Sequence, residues 1–285
     1  MEGETLRPLQ PMLTLQSGDS SLQLLPDAGG AIQAWSCGPV PLMCPVRGMG
    51  CFPLVPYANR IAHGRFHWDG RDHRLPLNFG NHPHSIHGIG WQRRWIVESS
   101  RDDRALLTLA HQGTEGWPFR FAAEQSFVLM PRSLRIELRM TNRHDRAAPA
   151  GLGLHPFFPR PSDASLRFNA TSVWLNDPTA LPERCVPVPD AWDHAADRAV
   201  GDEPLDNCFA GWDGAAHLQL GAASMTIAAS DVLRHLQVYT PPGEAFFCVE
   251  PVTHRPDAIN GEGMAVLRPG ESLAGSVTFH MTKAS

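Results

Sequence analysis

Polar and apolar residues alternate along much of this chain. In Ser133-Leu-Arg-Ile-Glu-Leu-Arg-Met140, the residues Leu134, Ile136, Leu138 and Met140 share one side, and Ser133, Arg135, Glu137 and Arg139 share the other. Successive side chains of a strand point to opposite faces, so this spacing predicts an antiparallel strand with one wet face. Shorter runs of the same kind occur at Met12–Leu15, Leu22–Leu25, Leu106–Leu109, Phe119–Phe127, His217–Leu220, His235–Tyr239 and Ser276–Met281. Ser17-Gly18-Asp19, Pro26-Asp27, Pro241-Pro242-Gly243 and Pro269-Gly270 supply turn chemistry between them. No apolar stripe at the helical period is sustained over about 11 positions, and strands do not alternate with helices, which disfavours βαβ architectures. The pattern predicts an all-β protein, a large antiparallel β-sandwich, with residues 1–285 in a single domain. Regions 41–90 and 156–210 are rich in Pro, Gly, Asn and His, and read as long connections of the kind on which sites tend to sit.

Composition narrows the function more than the fold. The 285 residues are 42% apolar and 19% charged, enough chain to bury roughly three quarters of its unfolded surface. The net charge of −5, with both signs interspersed, argues against a dedicated nucleic-acid or acidic-membrane binder. The 25 Gly and 26 Pro show no period, as a turn-rich fold requires. Of the 24 basic residues only Lys283, near the C-terminus, is a lysine. Schiff-base chemistry and phosphate-binding P-loops need a lysine in a pocket, so both are disfavoured. The 6 cysteines form no C-x-x-C pair, and read as free, mostly buried thiols in a reducing cytoplasm. The opening MEGETLRPLQ mixes charges and has no apolar core, and no apolar run nears 18 residues, so neither a signal peptide nor a membrane span is expected.

Three places carry candidate chemistry. His82-Pro-His84-x-x-His87 invites a metal, but the next glutamate is Glu98 and nothing downstream completes a ligand set, so no metal is assigned. His63, His67 and His73 read as polar loop surface. His155 follows an apolar segment in Gly151-Leu-Gly-Leu-His155-Pro-Phe-Phe-Pro159. It suits either a general acid or a core histidine satisfied by a carbonyl. Glu250 ends the apolar run Phe246-Phe-Cys-Val-Glu250-Pro251. A buried carboxylate needs a partner or a cleft, and desolvation raises its pKa toward that of a useful base; a structural salt bridge is the alternative. His155 and Glu250 on separate strand ends would make an acid/base pair. No G-x-S-x-G nucleophile and no G-x-G-x-x-G dinucleotide loop stands beside them.

Short motifs in order across the chain resemble those of the aldose 1-epimerase, or galactose mutarotase-like, family. Asn59-Arg60-Ile61 with Gly64-Arg-Phe66 and Gly70 resembles N-R-I-x-x-G-x-F. His87-Gly88 matches an H-G element, and Gly153-Leu-His155-Pro-Phe-Phe158 an H-P-Y-F or H-S-Y-F segment. Leu205-Asp206-Asn-Cys-Phe209 resembles L-D-x-x-F. Glu250-Pro251, with Pro256-Asp257-Ala258-x-Asn260 behind it, resembles the segment bearing the family's glutamate. The resemblance implies a β-supersandwich that interconverts sugar anomers without a cofactor. It assigns Glu250 as base toward the C1 hydroxyl and His155 as acid toward the ring oxygen. Arg60, His87 and Asp206 would hold the sugar. Trp91, Phe158, Trp212 and Phe247 are candidate aromatic walls. Leu154 stands where galactose enzymes carry Asn, and Pro156-Phe157 replaces Ser-Tyr, which leaves galactose, glucose, a rarer sugar or a sugar phosphate open. A phosphate would need a basic contact such as Arg65, Arg93 or Arg160.

Two other functions compete. A non-catalytic sugar binder on the same fold would need Arg60, Asp206 and aromatic contacts but not both His155 and Glu250. A metal-dependent isomerase would use the His82–His87 cluster. The expected partner is a small sugar, with no nucleic acid and no membrane, and the expected state is a monomer or homodimer.

Overall fold

Residues 9–114 and 116–282 are described by the computed structural model. Lys283 and residues 1–8 of the opening decapeptide lie outside the described residues. Strand is the dominant regular structure of the described chain, with four short 3-10 turns and no α-helix among the described residues. No helix is long and apolar enough to cross a membrane.

The alternating segments build a nine-stranded antiparallel sheet. Near its centre lies Ser133–Asn142, paired with Arg120–Met130 on one side and with the middle strand, Ser272–Thr282, on the other. Leu134, Ile136, Leu138 and Met140 are buried as the alternation requires. The second sheet has eleven strands. Through its middle run Ala31–Cys37, Cys51–Leu54, Gly153–Pro159, Phe246–Val252, His235–Thr240 and Leu205–Ala210, each antiparallel to the next. The inner faces of the two sheets meet in one apolar core. There Phe279 of the first sheet packs on Trp35 and Phe158 of the second, at 6.3 and 6.2 Å between ring centres.

The two regions expected to be long connections are not mere connections. Cys51–Leu54 and Leu205–Ala210 are inner strands of the larger sheet, and Gly153–Pro159 extends into the second region. Cys51–Leu54 and Gly153–Pro159 are buried on both faces, so their sequences are nearly continuous apolar runs without alternation, while Leu205–Ala210 carries the polar Asp206 and Asn207. Pro251 does not stop its strand; Phe246–Val252 continues through it. His155 and Glu250 therefore lie within neighbouring strands, not at separate strand ends.

Candidate active site

The register of the larger sheet assembles the site. Gly153 pairs with Val252 and Phe157 with Cys248, so His155 stands opposite Glu250. Phe52 faces His155 from the other side, and Gln237 faces Glu250. One row across the sheet thus reads Phe52, His155, Glu250, Gln237. The next row reads Phe157, Cys248, Tyr239, Asp206. Directly opposite side chains in antiparallel strands are near neighbours on one face, so both rows present their side chains away from the core.

A loop segment closes over these rows. Arg60–Ile61 pairs with Ser85–Ile86 as a small ribbon. Asn59 and His87 take left-handed backbone conformations beside it, with φ of 55° and 63°, and the His87 N–H donates to the Asn59 carbonyl at 2.9 Å. Gly88 follows because a Cβ there would stand 2.3 Å from the Val55 carbonyl oxygen. Asp257 anchors the ribbon from beyond the Glu250 strand. Its carboxylate accepts from the Ala62 N–H at 2.9 Å, and its own N–H donates to the Arg60 carbonyl at 2.7 Å. The Pro256-Asp257 motif therefore supports the ribbon that carries Arg60.

The result is a cleft of about 300 Å³ that gathers Arg60, His87, His155, Asp206 and Glu250, all five sequence-derived site residues. At its floor, His155 Nε2 lies 3.4 Å from Glu250 Oε1, both side chains nearly inaccessible. Glu250 Oε2 has no hydrogen-bond partner among the described residues. Burial pushes the Glu250 carboxyl well above the usual carboxylate range; the Asp206 charge adds to the rise and Arg60 opposes it. Burial also lowers His155 to about 3, against the pull of its own backbone carbonyl. Burial thus disfavours the charged form of both groups. His87 is held well below its ordinary value by burial, then by the charges of His155, Arg60 and His82.

Arg60 is gripped on three edges. Its Nη2 donates to Asp206 at 2.6 Å, its Nη1 to the Asn59 side-chain oxygen at 3.1 Å, and its Nε to His82 Nε2 at 3.3 Å. Gln237 donates to the other Asp206 oxygen at 2.7 Å. A guanidinium has five N–H groups, so one on each terminal nitrogen is left for a ligand. Stacked rings wall the cleft: Phe52 lies against His155 at 4.5 Å and against Trp91 at 5.4 Å.

Sequence reasoning missed part of this lining. Of the four candidate walls only Trp91 reaches the cleft. Phe158 and Phe247 face the core and Trp212 packs elsewhere in it. Phe52, Phe157, Tyr239 and Phe246 line the cleft instead. Phe157, which with Phe158 reads as a possible apolar wall beside His155, and Phe246 are legible in the sequence because they share the period-two faces of His155 and Glu250; Phe52 and Tyr239 depend on cross-strand register. None of Arg65, Arg93 and Arg160 lines the cleft; Arg47 does, with its guanidinium 5.4 Å over the Phe79 ring. The His82–His87 cluster does not converge as a ligand set. His82 Nδ1 and His84 Nδ1 engage backbone groups, and His82 Nε2 serves Arg60. His73 is not simple loop surface, being half-buried on a strand with its ring stacked on Phe66 at 4.9 Å. All six cysteines are free, but only Cys51, Cys208 and Cys248 are buried.

Comparison with known proteins fits this architecture. The family model described as aldose 1-epimerase matches residues 11–280. The uncharacterised protein YphB of Escherichia coli (strain K12) is 29% identical, over 94% of this chain and 98% of its own length. Human galactose mutarotase is 28% identical over 132 residues, 44% of this chain and 36% of its own. Among solved structures, an Escherichia coli K12 protein provisionally assigned as an aldose 1-epimerase superposes with a TM-score of 0.89 at 28% identity, covering 96% of this chain and 99% of that one. A galactose mutarotase-like protein from Clostridium acetobutylicum superposes with a TM-score of 0.85 at 18% identity, covering 95% of each chain.

Proposed function

Because this chain belongs to the aldose 1-epimerase family, we propose that it interconverts the α and β anomers of a free aldose by general acid and base catalysis. The observation that carries this is the 3.4 Å contact of His155 with Glu250 at the floor of a cleft edged by Arg60 and Asp206. Opening a pyranose needs one group to take the C1 hydroxyl proton and another to protonate the ring oxygen. Glu250 is the base and His155 the acid. Rotation about C1–C2 and closure with the same two groups give the other anomer, and each group ends as it began.

Burial raises the proton affinity of Glu250, which makes it a stronger base, and lowers that of His155, which makes its imidazolium a stronger acid. The Arg60 charge opposes the rise at Glu250. The two spare guanidinium N–H groups and the Asp206 carboxylate would hold sugar hydroxyls through charge-assisted hydrogen bonds, and His87 through a neutral one.

The test is anomer interconversion followed by NMR exchange spectroscopy on a panel of free aldoses and their 6-phosphates. Wild type and Glu250→Gln are run side by side in the presence of chelator. The expected result is acceleration by wild type alone, with sugar affinity largely kept in the variant. Equal rates in both would remove Glu250 from the chemistry. Binding without acceleration of any sugar would make this a sugar-binding protein.

A further inference from the structure

We propose that His155, Glu250 and Cys248 form a binding site for a thiophilic divalent cation, zinc by its donor chemistry, and that an ion held there blocks the cleft. Among the described residues these three are the only trio of histidine, cysteine and acidic side chains whose donor atoms converge, all within 4.8 Å of one another. The strand places them there. Cys248 and Glu250 share one face of Phe246–Val252, and His155 stands opposite Glu250.

The spacing suits the ion. Two nitrogen or oxygen ligands at about 2.0–2.1 Å from a tetrahedral zinc stand roughly 3.3–3.4 Å apart, and His155 Nε2 lies 3.4 Å from Glu250 Oε1. A thiolate at about 2.3 Å completes three protein ligands, and Cys248 Sγ, within 4.8 Å of the other two donors, would close on the ion as it binds. The fourth position would open to the cleft, since His155 and Glu250 both line it.

Charge also balances. A bare cation at this depth would be costly, but a Cys248 thiolate and a Glu250 carboxylate neutralise it, with His155 as the neutral ligand. Burial holds the Cys248 thiol protonated in the free protein, and a coordinating thiol gives up its proton to the metal. Binding therefore releases the Cys248 proton. Both groups assigned to acid and base work are then occupied, so zinc should compete with sugar. This last consequence rests on the proposed mutarotase activity; the metal site itself does not.

The test titrates the purified, chelator-treated chain with Zn²⁺ by calorimetry in two buffers of different ionisation enthalpy. It then records the absorption spectrum with Co²⁺. The expected result is one tight site per chain, proton release on binding and a sulfur-to-cobalt charge-transfer band. Cys248→Ala should weaken the site by at least about 10–100-fold, the range lost even with an outer-shell partner. Its anomerisation should persist and become resistant to zinc. Cobalt bound without a thiolate band, or zinc affinity unchanged in Cys248→Ala, would overturn the proposal and point to surface histidines. If that variant does not fold, the wild-type cobalt spectrum decides. The binding arms need no sugar, so they would establish or refute the metal site even in a protein without mutarotase activity.

Discussion

Arg60, the side chain proposed to hold the sugar, is itself held by Asp206, Asn59 and His82. His82 can accept the Arg60 Nε–H only while its Nε2 is unprotonated. Burial and the nearby Arg60 charge hold its pKa below the ordinary histidine value, so near neutral pH it remains an acceptor. His82 thus acts through Arg60 and is a positioning residue. His82→Leu is expected to raise KM for the preferred sugar roughly 10-fold, the scale of one hydrogen bond to a charged group, with kcat little changed. His82→Gln restores an acceptor and should recover much of the loss; a Leu variant with wild-type KM would detach His82 from the site. His155→Asn removes a proton carrier and not a scaffold. Its kcat should fall by about 10²–10⁴, and an unchanged rate would return His155 to a structural role.

At the scale of elements, catalytic placement depends on two devices: the register of Gly153–Pro159 against Phe246–Val252, and the ribbon that carries Arg60. Asp257 fastens the ribbon while sitting at a φ of 54°, a conformation that Asn and Asp tolerate better than Ala. Asp257→Ala should lose the bonds from Ala62 and Asn260 and add backbone strain. It should destabilise the fold by about 1–3 kcal/mol, and raise KM because Arg60 loosens. Asp257→Asn keeps the backbone preference and an acceptor oxygen, so it should keep most of both. Thermal melts and Michaelis curves on the two variants check this; equal behaviour would mean the ribbon is held elsewhere. These elements differed in how far they could be read beforehand. The half-wet strands, such as Ser133–Asn142, announce themselves by alternation. Cys51–Leu54 and Gly153–Pro159 do not, because residues covered on both faces leave no periodic trace.

Across the whole molecule, several histidines are kept neutral by the fold. Burial holds His155 to about 3 and His254 to about 4, against 6.5 in an unfolded chain, and His87 is also well below 6.5. Below pH 6.5 the unfolded chain takes up protons that the fold refuses. Stability is therefore lost as pH falls through that window, by up to about 1.4 kcal/mol per unit for each histidine. Glu250 works in reverse: the fold keeps its proton at pH values where the unfolded chain has lost it. Stability from that group rises as pH falls, and it offsets about one histidine. Urea midpoints measured from about pH 7 down to about pH 5 should therefore decrease. A flat or rising midpoint would mean that these imidazoles are hydrated in the fold.

Residue order alone is enough for the all-β class and the antiparallel pairing of the half-wet strands, because a period of two is written directly into it. Residue order also marked Arg60, His87, His155, Asp206 and Glu250, through short motifs resembling those of one family. Other features exist only once the chain is folded. Glu250 stands opposite His155, Cys248 comes within reach of both, and His82 orients Arg60. Phe52 and Phe157, not Phe158 and Phe247, wall the cleft. The pairing of His155 with Glu250 and the place of Phe52 are matters of register between strands about 100 residues apart in sequence, while Phe157 shares the face of His155 and His82 meets Arg60 across 22 residues of the chain. Shifting a strand by one residue exchanges its core and cleft faces, and no local pattern within a doubly covered strand fixes that shift.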